Sequence, residues 1–334
     1  VSVVLFVLSF FFSRTVLADW SNRPFQVIVG CKVLNPSGTI LRQFPGSLCQ
    51  YLDDGSFVSA TDKAVRRINV KGEVIWEVVG HFHHQMNLSV DKTRVLILSS
   101  TPFAKNPKWR EDKLMVLSIF DGKELAATSI TRFVPGTSLF FPPWPAPPAT
   151  PSFEGEVSHA NSIYEVPELE KNYRGPLKKG DIVVNSLGLG ILVLSSDLQT
   201  KKMHFHHGGS FQHTVHDVQP LPSGKLLLFN NRGSFSSLHS RVDRLDPVTL
   251  KSEVLFKADP PEAFYSMRGG GVQLYREDYL VISPFHTGTL IYDLRTKKVV
   301  ASYSQTYADN QRVWTIQQAR LENITAFLSH YRVK

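Results

Sequence analysis

His213 and His216 lie three residues apart, just ahead of a strand-like run that ends in Arg232, in the stretch FQHTVHDVQPLPSGKLLLFNNRG. Imidazoles at one end of a strand and a guanidinium at the other suit an anion. Arginine offers a forked donor, and histidine donates hydrogen bonds or moves protons. The plainer alternative is a set of ordinary turn polars. Two more histidines extend the anion reading, His159 in SHANSIYEVP and His286 in SPFHTGTLIYDL. A rival chemistry comes from GHFHHQ (His81, His83, His84) and MHFHHGG (His204, His206, His207), since histidines at i and i+2 share a strand face and ligate metals. With no carboxylates at suitable spacing, exposed strand-end histidines are the plainer expectation, and no metal or cofactor is expected. His84 has a further option, which is to open its own repeat and bind substrate beside His159.

The elements that must position these residues are strands. Short runs rich in Val, Ile, Leu, Phe and Tyr recur between turn signals, as in DDGSFVSAT, VKGEVIWEVV, DKTRVLILSS and GTLIYDLRTKKVV, and no amphipathic helix stands out after Asp19. The chain is therefore expected to be all-β. Units of roughly 40 residues align, several closing in a hairpin like DLRTKK: Tyr51 to Val79, His84 to Ile130, His159 to His206, His216 to Lys257 and Ser266 to Ser304. A sixth would join the tail WTIQQARLENITAFLSHYRVK to the first strand after Phe25. This predicts a six-bladed β-propeller closed by its N- and C-terminal strands, a single domain over residues 19–334, with two β-sandwich domains as the alternative. In a propeller the ends of the innermost strands crowd round a central channel. His159, His216, Arg232 and His286 are then expected to face one pocket.

At this point the residues resemble a known family. SHANSIYEVP, GDIVVNSLGLGILVL, HDVQPLPSGKLLLFNN, SRVDRLDPVTLKSEVLF and FYSMRGGGVQL are similar to successive signatures of the bacterial arylsulfate sulfotransferases, the type independent of a nucleotide sulfate donor. The similarity covers about Trp76 to Ser304. It implies a six-bladed propeller in which three histidines and an arginine surround a sulfuryl group, one histidine becoming a transient sulfohistidine. Carried over by motif, His159 matches the histidine before Asn-Ser-Ile, His216 the one preceding the LPxG strand, and Arg232 the arginine after that strand. His286 falls where the nucleophile is expected. QHT also resembles a family piece, so His213 competes with His216 as a substrate-binding residue. Where the family often reads Asp-Asn-Gly, this chain has Asn230-Asn231-Arg232-Gly233. The implied partners are a small aryl sulfate and a phenol.

Composition sets outer bounds. With 42% apolar and 20% charged residues over 334 positions the chain is globular, and its net charge of +8 favours anionic partners. Nucleic acid is not singled out, because no basic cluster is interleaved with aromatics and no finger or helix-turn-helix spacing appears. Val1 to Phe12 is almost wholly apolar but short for a bilayer core, Arg14 interrupts it, and Val16-Leu17-Ala18 offers small residues before a cut at Asp19. Residues 1–18 are thus expected to be a secretory signal, or an uncleaved anchor, missing its first residues. The implied location is periplasmic or secreted, with no stable membrane insertion once the segment is removed. Cys31 and Cys49 are expected either to pair or to remain two buried thiols. The proline-rich stretch Val134 to Glu156 is either an inter-blade crossing or a lid before His159. Besides sulfuryl transfer, an inactive binding or scaffold propeller and a metal-dependent hydrolase remain open.

Overall fold

The computed structural model describes residues 27–29, 31–34, 39–134, 155–186, 189–205, 215–231, 239–258, 264, 266, 269–275, 277–284, 289–303 and 314–315. The described residues are almost entirely strand, joined by tight turns. Five antiparallel sheets are each built from four consecutive strands. They are β4–β7 (Leu48–Tyr51, Phe57–Ala60, Ala64–Ile68, Val74–Val79) and β8–β11 (Phe82–Leu88, Arg94–Phe103, Asn106–Ser118, Glu124–Ser129). Then follow β13–β16 (Ala160–Glu165, Ile182–Ser186, Gly190–Leu194, Lys201–Phe205) and β17–β20 (Val215–Pro220, Leu226–Asn230, Arg241–Leu245, Ser252–Lys257). The last is β21–β24 (Gly271–Tyr275, Tyr279–Ser283, Thr289–Asp293, Lys298–Tyr303). Within each sheet the strands meander, and the first strand of each packs beside the first strand of the next. This is a β-propeller.

The expectation of a six-bladed propeller closed by its N- and C-terminal strands is overturned: the propeller has five blades, each a complete four-stranded sheet, and the remaining sheet does not make a sixth. It is assembled from β1 (Val27–Val29), β2 (Lys32–Leu34), β3 (Ile40–Gln43) and the two-residue β25 (Trp314–Thr315), in the order β25-β1-β2-β3. The pairing of β25 with β1 rests on Ile28 opposite Thr315 and Val29 opposite Trp314. So short a ladder cannot carry the packing that a five-residue strand carries in the other blades.

The reason for the blades lies in their middle strands. Leu96, Leu98, Leu114 and Val116 of one blade pack with Ile163, Ile182, Val184, Leu192 and Leu194 of the next in one buried cluster. Similar clusters join each successive pair of complete blades. Strands such as β15, GILVL, are buried on both faces, which explains their unbroken apolar runs, whereas outer strands such as β7 alternate toward solvent. Each fully buried Leu, Ile or Val contributes about 1.5–3 kcal/mol. The blade-closing hairpins repeat one device. Asp197, Asp246 and Asp293 each accept a backbone N–H two residues on, from Gln199, Val248 and Arg295.

Neighbouring innermost strands are also stitched by side chains. Gln50 Nε2 donates to Met86 O (3.1 Å) and Asn87 Nδ2 to Ile163 O (2.7 Å). Val218 N donates to Ser162 Oγ (3.1 Å) and Val272 N to Asp217 Oδ2 (3.0 Å). Cys31 and Cys49 form a disulfide, which ties the reduced sheet to β4 and buries both sulfurs beside Phe44, Phe57 and Ile68.

β9 and β10 are longer than other strands, and their extension reaches past the blade. There Trp109 and Arg110 pair in parallel with β12 (Gly155–Glu156), the segment that leads into His159. Of the proline-rich stretch, residues 135–154 lie outside the described residues, as do residues 1–18.

Candidate functional site

Innermost strands β8, β13 and β17 begin at one mouth of the channel, and each is irregular there. In β17 the register shifts between Val215 and Asp217, so His216 is the extra residue. β13 shifts between Ala160 and Ser162, just after His159. In β8 the shift falls between Phe82 and Met86, a gap that holds His83, His84 and Gln85. Bulges bend a strand and re-aim its side chains, and here they turn imidazoles toward one another. His84 adopts φ of 54°, a left-handed conformation that a β-carbon disfavours.

The resulting cluster is cationic in type. The His84 ring meets His83 edge-on at 4.8 Å and His159 at 4.7 Å. His83 Nδ1 lies 2.6 Å from His84 Nδ1. Burial, and after it the neighbouring His159, His83, Arg110 and His216, hold the His84 imidazole well below its ordinary pKa. His84 is therefore neutral at neutral pH.

One acid faces this group. Asp112 is fully buried on β10, and its Oδ1 is 3.0 Å from His83 Nε2. That separation is an ion pair's, although the contact misses hydrogen-bond alignment and leaves both atoms without a hydrogen-bond partner. The other oxygen, Oδ2, accepts Ala160 N at 2.6 Å, and Asp112 N donates to Ser158 Oγ at 2.9 Å. Arg110, two residues earlier, lies on the same strand face and is also buried.

His216 is held by a different partner. Its Nδ1 is 2.6 Å from Asn231 Oδ1, while Asn231 Nδ2 donates to Ser266 O (2.8 Å) and Gly269 O (2.7 Å). With both amide protons used, Asn231 Oδ1 must accept, so His216 carries its proton on Nδ1.

Below the histidines lies a buried polar layer. Gln85 Nε2 donates to Tyr164 Oη at 2.9 Å and approaches Asp217 Oδ1 at 3.3 Å, and its Oε1 accepts Ile163 N at 2.7 Å. Burial pushes the Asp217 carboxyl up to about 6, and burial with the nearby Asp217 raises the Tyr164 hydroxyl well above its usual range. Beyond this layer the opposite mouth opens into a cavity of about 470 Å³, lined by Gln50, Asn87, Tyr164, Gln219 and Gln273 among others.

Of the residues singled out by sequence, His84, His159 and His216 are brought together. Arg232, His286 and His213 lie outside the described residues. Sequence reasoning passed over His83 as a positioning group and missed Arg110, Asp112 and Asn231. The i, i+2 spacing of Arg110 and Asp112 was the available signal, but in NPKWREDK it reads as a solvated hairpin. The metal alternative gains nothing among the described residues. His81 is exposed, His204 Nε2 bonds Leu189 O at 2.6 Å, and no group of three metal-type ligands assembles. His206 and His207 lie outside the described residues.

No protein-family model matches the chain, and no curated protein matches it in sequence. Its fold is similar to that of solved structures. A Bacteroides caccae protein of unknown function has a TM-score of 0.55 at 12% identity, with 84% of this chain and 94% of that one covered. The Dos1 propeller gives 0.46 at 11% identity, covering 84% and 68%. BamB from Moraxella catarrhalis gives 0.40 at 10% identity, covering 77% and 61%. At 12% identity the likeness to the Bacteroides caccae protein shows the fold alone.

Proposed function

We propose that the histidine mouth binds the tetrahedral anionic group of an aryl sulfate and transfers its sulfuryl group to a phenol through a histidine. The observation that carries this reading is the gathering of His84, His159, His216 and Arg110 at one end of the channel, with His84 held neutral by burial and, after it, by these neighbours. Such a site attracts an anion, and the neutral His84 imidazole retains a lone pair for base chemistry. The resemblance assigns the nucleophile to His286 and a gripping role to Arg232. In the first step a histidine nitrogen forms a bond to sulfur as the sulfur–oxygen ester bond breaks, and a phenolate leaves. In the second the acceptor oxygen attacks sulfur, the nitrogen–sulfur bond breaks, and its electron pair returns to the imidazole. The same reading carries export with it, with residues 1–18 as a leader or anchor, which N-terminal sequencing of exported protein checks.

The experiment is incubation with 4-nitrophenyl sulfate and phenol. The expected result is nitrophenolate release, phenyl sulfate formation and an acid-labile sulfuryl mass increment on one histidine, His286, with all three lost in His286→Ala. Undiminished turnover in that variant overturns the assignment. Tight sulfate binding without transfer to any phenol would identify an anion-binding propeller instead.

A further inference from the structure

We infer that Asp112, His83 and His84 form a proton relay that presents His84 Nε2 as the base for the acceptor hydroxyl. This rests on the proposed transfer only for the identity of the hydroxyl. The relay itself stands on geometry. Asp112 is anchored from both sides, by its own N–H to Ser158 Oγ and by Ala160 N on Oδ2, so its Oδ1 is fixed against His83 Nε2 at 3.0 Å. The contact is not aligned as a hydrogen bond, but a carboxylate charge at that distance favours the proton on His83 Nε2, which leaves His83 Nδ1 as an acceptor. That nitrogen is 2.6 Å from His84 Nδ1, so His84 must donate from Nδ1. The lone pair of His84 is then on Nε2, across the ring from His83.

Two further features fit a built device. His84 is kept in the left-handed region at φ of 54°, where the backbone holds it only under constraint from its surroundings. Its edge-on contact with His159 at 4.7 Å fixes the ring from the other side. The groups facing His84 are His83 on its own strand, His159 ahead of β13, His216 on β17 and Arg110 on β10. Among the described residues, Asp112 is linked to His84 by way of His83. When an acceptor O–H breaks, its proton goes to His84 Nε2 and the oxygen's electron pair forms the bond to sulfur. The imidazolium then shares its charge through His83 with Asp112. His83 and Asp112 are thus positioning residues, and His84 is the group that touches the acceptor.

The test uses the full chain labelled with ¹⁵N-histidine. At pH 7 the His84 nitrogens should show Nδ1 protonated and Nε2 unprotonated. His83→Phe should mix the two tautomers, and so should Asp112→Asn, which keeps an oxygen for Ala160 N. In turnover, His83→Phe should lose about 100-fold, the low end of what general-base catalysis contributes. The loss should grow as the acceptor phenol becomes less acidic. A wild-type His84 protonated on Nε2, or a spectrum unchanged in both variants, overturns the relay whatever the turnover. A loss independent of acceptor acidity overturns the base role. If the wild-type protein transfers nothing, the proposed function falls, and the nitrogen spectra alone decide the relay.

Discussion

Asn231 holds His216 by a 2.6 Å contact from its Oδ1 to the histidine Nδ1, and is itself clamped through Nδ2 to the carbonyls of Ser266 and Gly269. One amide therefore sets a tautomer and joins the β17–β20 blade to the segment entering the next. Asn231→Ala removes one donor from each of two buried carbonyls, which keep Ser240 Oγ and Ser266 Oγ respectively, at a cost of about 1 kcal/mol. Urea unfolding should show that loss, and sulfate binding should weaken in parallel. Unchanged stability would mean the clamp is not made in solution.

His84→Asn separates strain from chemistry. Asparagine tolerates positive φ better than most residues, so the variant should fold with stability equal to or above the parent. Sulfate affinity and transfer should both fall. A variant that unfolds easily would show His84 to be a packing residue.

Asp217 supplies a pH dependence of known sign. Its folded pKa of about 6 lies above that of an unfolded aspartate, so the native state binds the extra proton. Its contribution is fully present below about pH 4 and is lost as pH rises through 6, a change of roughly 3 kcal/mol. Other acids, such as Asp91 at about 2, run the opposite way, so the quantity to measure is wild type minus Asp217→Asn. That difference should decline between pH 4 and 6 and be flat above. A flat difference throughout the window would show that Asp217 is ionised in the fold.

Cys49→Ser removes the link between the reduced sheet and the first complete blade. The closed loop spans 18 residues, and its loss should cost about 3 kcal/mol in the chain-entropy estimate. Thermal unfolding with and without reductant checks this, since wild type under reductant should match the variant. If neither treatment shifts the midpoint, the short β25–β1 ladder is not what limits stability.

Much of the architecture was legible because blade packing writes itself into local pattern. The unit His216 to Lys257 corresponds to a blade of Val215–Pro220 through Ser252–Lys257, and the pairing of the tail strand with β1 follows the same logic. The number of blades was not legible, and six were expected where there are five, since short apolar runs such as VIV and ILRQ look alike whether or not they complete a blade. In the site, His159 and His216 announced themselves by preceding strands. Arg110 and Asp112 did not, because they sit on the third strand of a blade and reach the mouth only through the unusual length of β10. His83 was masked by its neighbours, for a run of three histidines in four residues reads as surface.

The stitches between innermost strands have a mechanical consequence. Each of β8, β13 and β17 is pinned at one height to the strand before it and the strand after it, by bonds that include Asn87 to Ile163, Val218 to Ser162 and Val272 to Asp217. These strands work as a ratchet wheel. None can slip along the channel axis by even one pleat without breaking bonds on both sides. The amides of Val218 and Val272 should then exchange hydrogen together, only when the whole ring opens. Breathing at the histidine mouth is left to side chains and to the segments between blades, and the spacing of the imidazoles is kept by the hoop itself.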